Sequence, residues 1–195
     1  MFKLHKINPM ARALGTMGAV VALAGGITFA LTSQPVVLAD NSINASASLQ
    51  ISNGGAYSGS VTGFNFSGMV PGGAASPDQT FYLKNNGTNA VSLALNVPTL
   101  PTFTVTPSGS VDNSQVFVNI SCTSGSSGNF SLSSGNDLTS LNSAPVTLAQ
   151  GTGPLQPGDA ATCTANVSMG ASAVSPTTAS SVSSTNFDLD FTGTD

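Results

Sequence analysis

The sequence predicts an all-β fold: an antiparallel two-sheet sandwich of jelly-roll type, preceded by an N-terminal signal peptide. Three observations carry this. Thr, Val and Phe recur between Gly, Pro and Asn turns, whereas helix formers of the Glu, Lys, Gln and Arg kind are scarce, with every acid an Asp and only four Lys and Arg. Apolar and polar residues alternate in short runs, the period of a half-buried strand. The chain opens with a basic segment followed by an uncharged apolar one.

Lys3, Lys6 and Arg12 form the basic segment, and no residue from Ala13 to Leu31 is charged. That run is long enough to span a bilayer, so a retained anchor is one alternative. Gly15, Gly18, Gly25 and Gly26 dilute it, and Thr28-Phe29-Ala30 places a small residue before a cut between Ala30 and Leu31. A second candidate cut follows Val37-Leu38-Ala39. A pilin-type leader is a third reading, because Gly15 stands between Arg12 and the apolar run, although the acid expected after such a cut is missing. The expected organisation is a signal peptide over 1–30, an N-terminal extension over 31–42 and a sandwich over 43–195.

Within the body, Ile43, Ala45, Ala47, Leu49 and Ile51 alternate with polar residues and predict one long strand ended by Asn53-Gly54-Gly55. A second strand runs from Val61 to Phe66. Phe81 and Leu83 share a face of the next, and Asn85-Asn86-Gly87 reads as a hairpin-type turn. Val91, Leu93, Leu95 and Val97 follow, stopped by Pro98 and Pro101. Further strands are expected at 103–106, 116–122, 130–133, 146–149, 162–169 and 187–192, with 175–184 as exposed loop and no helix. About ten short strands at this spacing describe a sandwich.

Cys122 continues the face of Val116, Val118 and Ile120, and Cys163 that of Ala165, Val167 and Met169, so both point inward. In an exported chain two such residues most simply form a disulfide, which would contribute roughly 4 kcal/mol by closing a loop of about 42 residues. Two separate buried thiols are the alternative.

The inventory excludes much chemistry. His5, the sole histidine, lies in the leader, so a mature chain has no nucleophile–His pair and no His-ligated metal. Beyond residue 30 only Lys84 opposes eight Asp, which excludes nucleic acid as a partner. Asp188 and Asp190 share one strand face, as solvated surface or, with Asp195, a weak calcium site. No enzyme activity, cofactor or metal is expected.

"AGGITFALT", "INASASLQIS" and "FSGMVPGGAASPDQTFYLKNNGTNAVSLAL" together resemble the TasA/camelysin family of exported fibre-forming proteins. The motif residues are Pro71, Gly72, Phe81, Leu83, Asn85, Asn86 and Gly87, with "FDLDFTGTD" similar to the family's last strand. Two departures are the near absence of Lys and Glu and the Gly73 that replaces the family's acid. The resemblance covers both ends and residues 64–95. It implies a jelly-roll subunit, released by signal peptidase, that assembles into a homopolymer by donor-strand complementation.

The residues suit that role on their own terms. Residues 31–40 extended would reach roughly 33 Å, enough to cross a sandwich. Leu31, Val36, Val37 and Leu38 are the candidate donor residues, apolar on both pleat faces as a doubly covered strand would be. A leader stub or an intramolecular edge strand is the alternative. The expected function is therefore a secreted matrix or surface fibre, with membrane contact only through the leader before cleavage. A monomeric binding module using Tyr57 and Tyr82, or a pilin held by its uncut helix, are the other candidates.

Overall fold

The computed structural model describes residues 36–46, 48–132, 135–175 and 181–194. Its strands, in chain order, are β1 (Val36–Ala45), β2 (Leu49–Ser52), β3 (Ser60–Met69), β4 (Gln79–Asn85), β5 (Ser92–Asn96), β6 (Phe103–Thr106), β7 (Ser110–Val111) and β8 (Val116–Ser124). β9 (Gly128–Ser131), β10 (Val146–Thr147), β11 (Ala149–Gln150), β12 (Ala160–Met169), β13 (Val174–Ser175), β14 (Ser181–Ser184) and β15 (Asp188–Thr194) complete them. One short helix, α1 (Leu138–Ser143), lies between β9 and β10.

These strands form the expected all-β sandwich. One sheet has the order β10-β5-β15-β1-β14-β6, with β3 on the other edge of β1. The second has the order β11-β9-β8-β12-β4-β2 and is antiparallel throughout. A two-stranded ribbon of β7 and β13 stands apart. The alternation read from the sequence supplies the facing surfaces: Phe66, Phe81, Phe130, Phe187, Phe191, Leu83 and Leu93 are all fully buried. Phe81 of the second sheet meets Phe191 and Phe64 of the first at ring-centroid distances of 5.5 and 6.2 Å. Offset and edge-on pairs of this kind add to the burial of area alone.

Several elements differ from expectation for identifiable reasons. The alternating run 43–52 is two strands in two sheets. The Ser46 N–H donates to Phe191 O and the Leu49 N–H to Ser46 O, turning the chain from one layer to the other. The boundary expected at 42/43 is not a break, because β1 crosses it. Residues 146–149 likewise divide between β10 and β11. The loop expected over 175–184 contains β14, whose Val182 is buried against β1 and β6. α1 was not expected; the Asp137 carboxylate caps it by accepting from Ser140 N–H, and Leu138 and Leu141 bury one face. Asn85-Asn86-Gly87 does not close a hairpin, since β4 and β5 lie in opposite sheets.

Cys122 and Cys163 are directly opposed on β8 and β12 and form a disulfide, both residues fully buried. Such a bond is consistent with an oxidising compartment. Among the described residues no helix is long and apolar enough to cross a membrane.

Candidate functional site: the first strand and its groove

β1 takes part in both parallel pairings of its sheet among the described strands, with β14 and with β15. Val36 and Val37 pair with Val182 and Ser183 of β14, and Ser42 to Ala45 pair with Asp188 to Phe191 of β15. Partners are 146 residues apart on both sides of the gap, so β14 and β15 are two halves of one row laid along a single edge of β1. On its other edge β1 pairs antiparallel with β3, with Val36 opposite Met69, Leu38 opposite Phe66, Asn41 opposite Phe64 and Ile43 opposite Val61. The register shifts at each step from Val36 to Ile43, and between Leu38 and Asn41 the extra residue lies on β1. A bulge of this kind changes which residues face inward, so Val36 and Leu38 point into the core before it, and Asn41 and Ile43 after it.

All four of those side chains are buried, with Leu38, Asn41 and Ile43 at 0% exposure. Burying Val36, Leu38 and Ile43 is worth roughly 5–8 kcal/mol before ordering costs. The buried amide of Asn41 is used at each available direction. Its Nδ2 donates to Leu38 O at 2.9 Å, closing the bulge, and to Phe64 O of β3 at 3.1 Å. Its Oδ1 accepts from the Phe187 N–H at 3.1 Å, in the gap between β14 and β15. A buried amide left unpaired would cost about 1–3 kcal/mol per group, so this residue joins three elements at one point.

On the outer face Ser42 donates to the Asp188 carboxylate, and Asn44 Nδ2 donates to Asp190 Oδ1 at 2.7 Å. The Asp pair singled out in the sequence is thus engaged by β1; Asp195, the third member of the candidate calcium set, lies outside the described residues. Asp159 is held below the usual aspartate range by hydrogen bonds from the Ser126 and Ser127 hydroxyls, and Asp112 by its bonds from Ser114.

The cut between Ala30 and Leu31, and Leu31 itself, lie outside the described residues. Val36, Val37 and Leu38, expected as a donor segment separate from the body, are paired within their own chain. The physical reason is plain: β1 covers an edge of the C-terminal row and supplies the sole sheet partner of β3 among the described strands. In a single chain no other strand is present to do this.

The motif residues of the resemblance lie at both ends of β1 and in the core between. Gly72 takes φ +70°, and a Cβ there would lie 2.8 Å from the Ala171 Cβ, so the Pro71-Gly72 corner requires glycine. Phe81 and Leu83 are core. Asn85 is fully buried, donating to Asn89 O and Leu155 O and accepting from the Gly87 N–H. The Asn86 N–H donates to Ser48 O, steadying the link between β1 and β2. Tyr57 is the one large hydrophobic exposed among the described residues, with the Lys84 ammonium 5.7 Å from its ring centroid. Sequence reasoning missed Asn41; an Asp-Asn pair reads as a turn, and only the bulge explains an amide facing the core. Compared with known families and characterised proteins, the chain matches no family model and no curated protein.

Proposed function

We propose that this chain is a secreted structural subunit that polymerises head to tail into extracellular fibres, by exchanging β1 between neighbouring copies. The observation that carries the reading is the position of β1: the first strand described is clasped along both edges and holds three apolar side chains in the core. Withdrawing it leaves a groove between β3 and the β14–β15 row, flanked by Phe64 and Phe66 on one side and Leu189 on the other. A neighbour's β1 fills that groove with the same bonds that the chain's own strand makes. Exchange between identical segments costs little at equilibrium and is driven by concentration. The hinge is the link 46–48, held by the Ser46–Phe191, Leu49–Ser46 and Asn86–Ser48 main-chain bonds.

The resemblance to the TasA/camelysin family supports the same assembly mode, and the leader supports export with removal by signal peptidase. The role is structural and non-enzymatic. Electron microscopy of the exported chain over a concentration series tests it, together with N-terminal sequencing. Filaments and a start at Leu31 are expected; a start at Thr16 would favour a pilin. The pairing of β1 on both edges within its own chain favours one second reading, a monomeric surface-displayed binding module, which predicts particles of one subunit at every concentration.

A further inference from the structure

We propose that Asn41 is the selector of the β1 groove: it fixes the register of the inserted strand and restricts the occupant to β1 of a second copy of this chain. The inference rests on the strand-exchange reading for the identity of the occupant, and on this structure alone for the register.

Apolar burial fixes the register only in part. A slip of two that brings Asn44 opposite Asp188 sets Leu38 in the place of Val36 and Ile43 in that of Asn41, both apolar, although the bulge then sets Asp40 in the place of Leu38. The outer polar pairs tolerate the same slip, since Asn44 would then face Asp188 in place of Ser42. Asn41 does not tolerate it. Its amide is fully buried; the bond to Leu38 O lies within β1 and moves with it, but the bonds to Phe64 O and from the Phe187 N–H are made at one alignment only. The Phe187 N–H falls in the gap between β14 and β15, where the paired residues Val37–Ser183 and Ser42–Asp188 flank an interruption of the ladder. A slip of two leaves that N–H and the Phe64 carbonyl without their Asn41 partner, each disfavouring the slipped state by roughly ten- to a hundredfold. An apolar strand of equal length fills the same volume and leaves the same main-chain groups orphaned. A single buried Asn that sets alignment among apolar neighbours is a recognised device of specificity.

The test reads register directly in the full chain. The chain's only two cysteines are joined to each other, so introduced ones are the sole free thiols. Ser42→Cys with Asp188→Cys reports the native alignment. Asn44→Cys with Asp188→Cys reports a slip of two, because residues two positions out of register on adjacent strands lie too far apart to bridge. With Asn41 present, the first pair should oxidise and the second should stay near background. With Asn41→Leu, the 44–188 bridge should rise well above its background. If Asn41→Leu still bridges at 42–188 alone, the selector role is wrong. Should Asn41→Leu yield no folded protein, Asn41→Ser, which removes both N–H donors with less bulk, carries the same comparison. Mixing a Ser42→Cys chain with an Asp188→Cys chain separates the two claims. Bridges between chains support exchange. Bridges found only within doubly substituted chains overturn exchange and the second copy as occupant, while the register result stands by itself.

Discussion

The Phe187 N–H donates to Asn41 Oδ1 at 3.1 Å across 146 residues of sequence, at the one place where the C-terminal row is broken. That bond carries the parallel seam between β1 and the C-terminal strands across the interruption. The seam therefore runs from Val36 to Ala45 as a unit, and its two halves should respond together to perturbation.

Leu38→Ala tests this cooperativity. Leu38 has 0% exposure and stands opposite Phe66, at the far end of the seam from β15. The substitution should cost about 2–5 kcal/mol in urea unfolding. It should also raise amide exchange at Phe187 and Leu189, beyond the substituted turn of the strand. Loss confined to residues 36–38 and 182–183 would show that Asn41 does not couple the halves.

The Cys122–Cys163 bond closes a sequence separation of 41 residues between directly paired strands. Replacing both with Ala should lower stability by about 4 kcal/mol in the chain-entropy account, measured by denaturant unfolding. The register of β8 and β12 should be unchanged, because nine consecutive pairs from Ala161–Ser124 to Met169–Val116 also define it.

Asp159 sits on the surface, and hydrogen bonds from Ser126 and Ser127 hold its carboxyl below the ordinary 3.8. A carboxyl depressed in the folded state stabilises the fold above its unfolded pKa, and that contribution disappears as pH falls through the folded value. Asp159→Asn should therefore lower the melting temperature at neutral pH by a small amount. The difference between wild type and variant should vanish in acid, once the pH lies below the folded value. A difference that persists in acid would assign the effect to something other than the ionised carboxylate.

The sequence made the strands and their inward residues readable where alternation is clean, as at Phe81 and Leu83 or from Val116 to Cys122. The inward cysteines were legible for the same reason. Alternation does not tell which sheet a strand joins, so 43–52 read as one element although a single turn at Ser46 sends its halves to opposite layers. β14 was hidden because only Val182 of its four residues is buried, and its partners are distant in sequence. α1 was hidden by its length, although Asp137 with Leu138 and Leu141 is a cap and an apolar face in retrospect. Val36 and Leu38 were recognised as strand residues with covered faces. That the covering comes from their own chain depends on a pairing 146 residues away, which no local pattern encodes.

Assembly by exchange requires β1 to leave its own sheet, and a staple between Ser42→Cys and Asp188→Cys prevents that departure in a chain oxidised as a monomer. We expect the stapled chain to remain monomeric by electron microscopy and light scattering at concentrations where the unsubstituted chain forms filaments. Reduction of the staple should restore assembly, with the buried native disulfide left intact. Filaments of normal length from the oxidised, stapled chain would contradict the account.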